Sequence, residues 1–293
     1  MSPEFKSQLT SAVALVEAKL NTLLPTTDQS LVADPMRHAV LNGGKRLRAF
    51  LVMESAALFD VPTSQSVYAA SAIECIHAYS LVHDDLPCMD DDDLRRGLPT
   101  VHVKWDEATA VLVGDALQTI AFEILADQAA ADSDAIRIQL ISSIAKAAGA
   151  DGMVLGQAQD IAAETATVPL TLEQITDLQA NKTGALIKWS AQAGALLGGQ
   201  STDALGAYAT ALGLAFQIQD DVLDIEGDPE AAGKRLQKDA DAGKATFVSI
   251  LGLDEAKHRA KLLVEQANDV LSPYGAKADA LRAVAQYVIE RDK

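Results

Sequence analysis

Apolar residues recur three or four positions apart along nearly the whole chain, which is the spacing of one face of an α-helix. At the N-terminus this face comprises Phe5, Leu9, Val13, Val16 and Leu20. The same spacing predicts helices over about 45–59, from just after Pro62 towards residue 84, and over 106–131, 134–149, 151–163, 171–197 and 202–225, followed by three shorter helices. No alternating pattern typical of β-strands is present, and residues 226–243 are polar and are predicted to form a loop.

Helix-end signals divide this pattern into separate elements. Asp34 followed by Pro35 predicts an N-cap with proline at the first helical position. Thr171 with Gln174 has the spacing of a capping box. Glycine pairs at 43–44 and 198–199 predict the ends of the helices that precede them.

Composition supports a helical fold. Of the 293 residues, 49% are hydrophobic but only 4% are aromatic, whereas strands draw on aromatic and β-branched residues. We therefore expect one all-α domain over residues 1–293.

Charge and cysteine content limit the possible partners and the cellular location. A net charge of −17 argues against binding of nucleic acid or an anionic membrane through the general field of the protein. Two cysteines are compatible with a reducing cytoplasm. The N-terminus lacks the basic segment followed by an apolar run that is typical of a signal peptide. The chain also lacks a run of about 18 apolar residues, which a membrane span would need.

Residues 81–97 form the most unusual segment, with six aspartates within ten positions. Carboxylates this close repel one another, and Mg²⁺ would relieve the repulsion because it accepts oxygen ligands while keeping waters and substrate phosphates. Asp90 follows Asp84 by six residues, so an uninterrupted helix would turn the two side chains apart. Pro87 disturbs the helix, and we expect a bulge or helix end that returns Asp90 to the ion held by Asp84 and Asp85. A disordered acidic loop is disfavoured by its apolar anchors, Leu81, Val82, Leu86 and Met89.

A second acidic cluster, Asp220, Asp221 and Asp224, lies far downstream. Asp220 and Asp224 are four apart and share a helix face, while Asp221 points aside. The surrounding sequence is apolar nearly all round, which predicts a buried helix. Because negative charge near a helix C-terminus is unfavourable, a metal site is favoured over a solvated acidic face.

Basic residues occur where phosphates would need them. Lys45 and Arg48 are three apart at the start of a predicted helix, whose N-terminus itself favours an anion. His77 lies two helical turns before Asp84. The remaining candidates are Arg95, Arg96, Lys182, Lys234 and Lys244. Together with the acidic clusters, they indicate two diphosphate sites, one bridged by metal and one held directly by charge-assisted bonds.

These segments resemble the trans-isoprenyl diphosphate synthases, and among them the bacterial farnesyl diphosphate synthases. The matching segments are 43–48, 76–100, 152–157, 182–186, 219–224, 243–247 and 290–293. A single DDxxD motif would be unspecific, whereas two aspartate-rich motifs in this order are highly specific. The resemblance implies the all-α isoprenoid synthase fold, a single large helical bundle around a deep central cavity, as a cytoplasmic homodimer.

The resemblance also implies the reaction and its residues. Isopentenyl diphosphate would condense head-to-tail with dimethylallyl or geranyl diphosphate to give farnesyl diphosphate. Three Mg²⁺ ions would bridge the allylic diphosphate between Asp84, Asp85 and Asp90 on one wall and Asp220 with Asp224 on the other. The allylic diphosphate would also meet Arg95, Lys182, Thr183, Gln219, Lys234 and Lys244, and Thr183 and Gln219 would steady the carbocation. Isopentenyl diphosphate would meet Lys45, Arg48, His77 and Arg96.

Product length is expected to depend on what closes the cavity below Asp84. Tyr79 lies five residues upstream, about 7.5 Å along the helix axis, and Ser80 lies beside it. In the resembled family, an aromatic residue here is typical of the bacterial fifteen-carbon type. Leu155 and Gln159 depart from the family pattern and are expected to alter the cavity.

Other readings remain open. A geranyl or geranylgeranyl diphosphate synthase would share the fold and the chemistry. A terpene cyclase would not need Lys45, Arg48 and His77 for a second diphosphate. An acidic Ca²⁺-binding or scaffold protein is a further alternative, although residues 84–96 lack the alternate ligands, glycine and late glutamate of an EF-hand loop.

Overall fold

The computed structural model describes residues 2–28, 30–226 and 246–291. The helices of the first half are α1 (Pro3–Leu23), α2 (Ala33–Leu41), α3 (Leu47–Ala57), α4 (Thr63–Asp84), α5 (Val101–Lys104) and α6 (Glu107–Ala126). Those of the second half are α7 (Asp134–Ala148), α8 (Met153–Glu164), α9 (Leu172–Gln179), a π-helix (Ala180–Gly184), α10 (Ala185–Leu197), α11 (Asp203–Glu226), α12 (Phe247–Leu251), α13 (Leu253–Val270) and α14 (Asp279–Glu290). Short 3₁₀ segments cover Gln128–Ala130 and Ser272–Ala278. The predicted all-α fold class is confirmed.

The helix ends differ from the sequence predictions in three places. α2 begins at Ala33, so the predicted Asp34 cap is wrong; the Asp34 carboxylate instead accepts a hydrogen bond from the Thr27 hydroxyl at 2.6 Å. α3 begins at Leu47, which leaves Lys45 before the helix. The predicted helix over 171–197 is interrupted by the π-helix. The capping box of Thr171 and Gln174 is confirmed.

Helix α4 lies at the centre of the described helices and packs against α1, α3, α6 and α10. A helix that is apolar on every side is buried in the core, and the buried positions of α4 indeed follow one another almost without a break from Val67 to Ile76. Most buried apolar side chains belong to one cluster that includes α4, and a smaller cluster joins α9, α11, α12 and α13. Residues at the C-terminal end of α4 are therefore held by a rigid, fully packed helix.

A two-residue hairpin follows the acidic segment that ends α4. Its strands, β1 (Leu94–Arg95) and β2 (Leu98–Pro99), pair antiparallel with Leu94 opposite Pro99. Arg96 and Gly97 form its turn with positive φ angles of 54° and 77°. The sequence analysis did not predict strands here, because two residues are too few for an alternating pattern.

Helix α6 is the one element of the described segments that is long and apolar enough to cross a membrane. Its most apolar stretch of 18 residues has a mean hydropathy of 1.5, and 39% of that stretch is buried. The core helix of a globular protein passes the same test, and one face of α6 packs against α4.

Candidate active site

A cavity of about 380 Å³ opens beside the C-terminal end of α4. Its lining comes from α3, α4, the acidic segment after α4, α8, the π-helix and α10, and consists of Arg48, His77, Tyr79, Ser80, Leu81, His83, Asp84, Met89, Met153, Val154, Gln157, Ala158, Ile161, Lys182, Thr183 and Leu186. A larger hollow of about 570 Å³ lies on the other side of the π-helix, and none of the predicted site residues lines it. The smaller cavity is the better candidate because charged groups predicted from distant parts of the sequence converge there.

The first acidic segment folds back on itself as predicted. Helix α4 ends at Asp84, and Leu86, 6% exposed, anchors the turn that follows. The backbone N–H of Asp90 donates to the carbonyl of Asp84 at 2.8 Å. This bond returns Asp90 to the end of α4, so two aspartates six residues apart lie side by side.

The surroundings of the Asp84 carboxylate disfavour its negatively charged form. Burial is the main reason that the pKa of Asp84 rises to about 6; the charge of Lys182 opposes the rise, and the charge of Asp90 adds to it. Burial also raises the pKa of Asp85, although Arg95 donates from Nε to Asp85 Oδ1 at 3.0 Å and lowers it. The predicted metal ligand Asp85 and the predicted phosphate ligand Arg95 are thus paired with each other.

These donors fit magnesium better than a cage-forming metal. Among the residues that the structure describes, no three His, Cys, Asp or Glu side chains are close enough to hold an ion by themselves. Mg²⁺ is usually bound through one or two carboxylates together with substrate phosphates and waters. Repelling carboxylates at the end of α4, one of them with a pKa of about 6, supply that kind of incomplete site.

The three aspartates of the second acidic cluster differ in their contacts. Asp220 Oδ1 accepts from Arg291 Nη2 at 2.6 Å, and the Arg291 guanidinium lies 3.9 Å from the centre of the Phe216 ring. Asp221, predicted to point aside, accepts the backbone N–H of Phe247 at 2.7 Å and so caps α12. Asp224 lies one turn beyond Asp220 on α11.

The negative charge of Asp220 acts on one residue that lines the cavity. Its charge raises the pKa of the cavity-lining Arg48, although burial lowers that pKa overall. Gln219, the neighbour of Asp220, is 8% exposed. Asp220 therefore lies within electrostatic range of Arg48, although neither Asp220 nor Asp224 is part of the cavity lining.

The π-helix presents Lys182 and Thr183 to the cavity. Lys182 Nζ lies 2.7 Å from Asp160 Oδ2 on α8. The backbones of α8 and the π-helix pack so closely that a Cβ on Gly156 would lie 2.0 Å from the backbone nitrogen of Lys182. Asp160 was not among the predicted site residues, because it lies three positions beyond the matching segment 152–157 and belongs to no motif. The sequence analysis also gave no role to Gln157, whose buried Oε1 has no hydrogen-bond partner among the described residues.

Basic groups gather around His77, two turns before the end of α4. Burial, followed by the charges of Arg48, Arg96, Arg95 and Arg46, holds the pKa of His77 well below its usual value. The guanidinium of Arg96 donates to the carbonyl of Gly43 and leaves no room for a Cβ on Gly44, which would lie 2.8 Å from it. The sequence analysis found these residues but not their mutual contacts.

The aromatic residue predicted to close the cavity lines it. Tyr79 is 5% exposed, and its ring meets the edge of His83 with centroids 5.9 Å apart. Ser80 also lines the cavity, and its hydroxyl donates to the carbonyl of His77 at 2.9 Å. A Cβ on Gly114 of α6 would lie 1.9 Å from His83 Nε2, so that glycine makes room for the ring beside Tyr79.

The remaining predicted residues have different outcomes. Lys45 is exposed and lies outside the cavity lining, with its Nζ 5.8 Å from the centre of the Tyr287 ring. Lys234 and Lys244 lie outside the described residues. The expectation that Leu155 and Gln159 alter the cavity is wrong, because neither lines it: Leu155 is 38% exposed, and Gln159 Oε1 accepts from Asn181 at 3.0 Å.

Comparison with known proteins identifies the family. The polyprenyl synthetase family model matches residues 29–284. The farnesyl diphosphate synthase of Escherichia coli K12 is 45% identical over 99% of this chain and 100% of its own length, and that of Haemophilus influenzae is 41% identical over 94% and 96%. An FPP/GFPP synthase from Zymomonas mobilis superposes with a TM-score of 0.90 at 46% identity, covering 99% of this chain and 100% of that one. A geranyltransferase from Helicobacter pylori, solved with magnesium and isoprenyl diphosphate, has a TM-score of 0.84 at 34% identity and covers 99% of each chain. The chain therefore belongs to the polyprenyl synthetase family.

Proposed function

We propose that this protein is a Mg²⁺-dependent farnesyl diphosphate synthase, which condenses isopentenyl diphosphate with dimethylallyl or geranyl diphosphate. The observation that carries the proposal is the convergence of two unlike charged groups on one cavity. Asp84 and Lys182 line this cavity together with Arg48 and His77. Two anionic substrates can meet there with their hydrocarbon parts in the same apolar space.

The acidic side would hold the allylic substrate. When bound through Asp84, Asp85, Asp90, Asp220 and Asp224, three magnesium ions would supply positive charge to the departing diphosphate. Lys182, with Arg95, Lys234 and Lys244, would hold the same diphosphate by charge-assisted bonds. Asp160 would fix Lys182 in place through the 2.7 Å ion pair between them.

The basic side would hold isopentenyl diphosphate. Arg48, His77 and Arg96, with Lys45 at the rim, would bind this second diphosphate and aim its double bond at the allylic carbon. Arrival of a diphosphate anion favours the protonated imidazole, so its binding would raise the low pKa of His77.

The cavity walls would protect the reaction from water. Met89, Met153, Val154 and Ile161 line the cavity and present no hydroxyl or amine that could trap a carbocation. The oxygens of Thr183 and Gln219 would steady the positive charge. The final proton would pass to the released diphosphate, so no general base from the protein is required.

An incubation with labelled isopentenyl diphosphate, Mg²⁺ and either dimethylallyl or geranyl diphosphate tests the function. We expect a fifteen-carbon diphosphate from both starters and none when Mg²⁺ is removed. A ten-carbon product would indicate a geranyl diphosphate synthase, and a twenty-carbon one a geranylgeranyl diphosphate synthase, the activity named for a relative from Cyanophora paradoxa. Cyclised hydrocarbons, or tight Ca²⁺ binding without Mg²⁺-dependent diphosphate binding, would contradict the proposal.

We also propose that the protein acts as a homodimer in the cytoplasm. The outer face of α6 and the segment before it expose Val103, Val111 and Leu112, at 47%, 43% and 56%. The family resemblance implies a second copy of this chain, and we propose this exposed apolar face as the surface that it covers. Cys75 and Cys88 are both unpaired, which suits a reducing compartment.

Leu112→Asp is expected to weaken this association, because a dimer would have to bury the new charge. Light scattering after gel filtration should give about twice the chain mass of 30.9 kDa for the wild type and the single mass for the variant. Leu262→Asp, which alters a similarly exposed leucine on α13 (49%), is the matched control and should leave the mass unchanged. A monomeric wild type would contradict the homodimer.

A further inference from the structure

Arg46 differs from the other basic residues of its loop in conformation and burial. Its backbone is left-handed, with φ 50° and ψ 33°, which a side chain other than glycine rarely adopts. It is 4% exposed, whereas Lys45 is exposed and Arg48 lines the cavity. An unfavourable backbone conformation persists where the surrounding contacts require it.

The side-chain contacts of Arg46 join the start of α3 to three other helices. Its Nη1 lies 3.1 Å from Glu74 Oε2 on α4, and its Nη2 lies 3.5 Å from Glu17 Oε1 on α1. Nη2 also donates to the carbonyl of Val40 on α2. Both terminal nitrogens of Arg46 are thus occupied by partners inside the fold, while its buried Nε has no hydrogen-bond partner among the described residues. The guanidinium is therefore unsuited to hold a substrate phosphate.

Glu74, the partner of Arg46 on α4, also contacts the first turn of α3. Its side chain is 3% exposed, and its second oxygen, Oε1, accepts the backbone N–H of Ala49 at 3.1 Å. Ala49 is the third residue of α3, so this N–H is one that the helix itself cannot satisfy. One carboxylate therefore binds both the guanidinium before α3 and the first turn of α3.

The positions of these residues connect the loop to the substrate site. Arg46 lies between Lys45 and Arg48, and Glu74 lies one turn before His77 on α4. A buried ion pair loses much when one partner is removed, because the other charge stays buried and uncompensated.

We infer that Arg46 and Glu74 are positioning residues for the isopentenyl diphosphate subsite, which hold Lys45 and Arg48 at a fixed place relative to His77. The inference rests on the proposed function, since it requires that this basic group binds isopentenyl diphosphate. Glu74 also balances the charge of Arg46, which would otherwise add to that of Arg48 and Arg96 before substrate arrives. Burial lowers the pKa of the Arg48 and Arg96 guanidinium groups, and the charge of Glu74 opposes that lowering.

Steady-state kinetics of the full-length Glu74→Gln variant test this inference. Glutamine keeps the shape and an oxygen for Ala49 but removes the charge partner of Arg46. We expect KM for isopentenyl diphosphate to rise about tenfold or more, while KM for geranyl diphosphate stays within about twofold. Glu17→Gln is the matched control; Glu17 is 38% exposed, and its longer 3.5 Å contact should contribute little to either constant.

A second variant separates positioning from folding. Arg46→Met combined with Glu74→Gln removes both charges, and such replacements of buried pairs often preserve stability. We expect its melting temperature to be closer to the wild-type value than that of Glu74→Gln, with KM for isopentenyl diphosphate still raised. Unchanged KM for this substrate in both variants, or equal rises for the two substrates, would overturn the inference.

Arg48→Ala distinguishes failure of the inference from failure of the proposed function. If Arg48→Ala raises KM for isopentenyl diphosphate and Glu74→Gln does not, the subsite stands and the positioning role is wrong. If neither variant changes it, the subsite itself is assigned wrongly.

Discussion

Asp84→Asn is expected to lower kcat by roughly a thousandfold or more and, at the same time, to stabilise the substrate-free protein. The carboxylate ends α4 beside Asp90, where burial raises its pKa to about 6. Its charge is therefore unfavourable for folding until metal and diphosphate arrive. Asparagine keeps the shape of the side chain but removes both the metal ligand and this penalty.

The pH dependence of the stability gain follows from the direction of the shift. The folded-state pKa of Asp84, about 6, lies above the unfolded-state value of about 3.9. The carboxylate thus opposes folding fully above about pH 6, and the opposition disappears as the pH falls below about 4. We expect the variant to gain up to about 2 kcal/mol, or a few degrees in Tm, at pH 7.5, and almost nothing at pH 4.

Calorimetry and initial rates on the same protein samples check both halves of this expectation. Asp269→Asn, at an exposed position on α13, is the matched control and should change neither quantity. Near-normal turnover of Asp84→Asn would end the metal-binding assignment of the first acidic segment. A lower Tm at pH 7.5 would show that the carboxylate stabilises the fold rather than opposing it.

Tyr79→Ala is expected to shift the main product from fifteen carbons to twenty or more. The ring lines the cavity and packs edge-on against His83, one turn further along α4. A chain that grows away from the diphosphates meets this ring, and alanine would leave space for further isoprene units. Chromatography of the dephosphorylated products measures the change directly.

Tyr68→Ala provides the comparison on the same helix. Tyr68 lies three turns from Tyr79, outside the cavity lining, and packs under the amine of Lys19 at 3.7 Å. Its loss should lower stability without lengthening the product. If Tyr79→Ala and the wild type give the same product distribution, another part of the wall ends the cavity.

The sequence predicted those parts of the fold that depend on local pattern. Helical periodicity gave the order of the helices, and the six-residue separation of Asp84 and Asp90 around Pro87 predicted the returning turn. The Asp34 cap was predicted wrongly because the hydroxyl of Thr27, seven residues away, engages that carboxylate. A helix-period pattern also cannot reveal a π-helix of five residues, since a single wide turn is too short to set a period of its own.

The contacts that complete the candidate site were beyond such reasoning. Asp160 meets Lys182 across 22 residues, Arg46 meets Glu74 across 28, and Asp220 meets Arg291 across 71. Each partner is a common charged residue whose role depends on how separate helices pack. Only the packing of α4, α8 and α11 in three dimensions assigns these residues to one another.

The π-helix between α9 and α10 makes the spacing of this region intolerant of insertion or deletion. It accommodates one residue more than an α-helical turn would, so removing a residue just before Lys182 would turn that side chain by about 100° around the helix axis. Lys182 would then turn away from Asp160, and the tight backbone crossing at Gly156 would be lost. Evolution can change side chains here while the number of residues stays fixed, because the register itself aims the lysine.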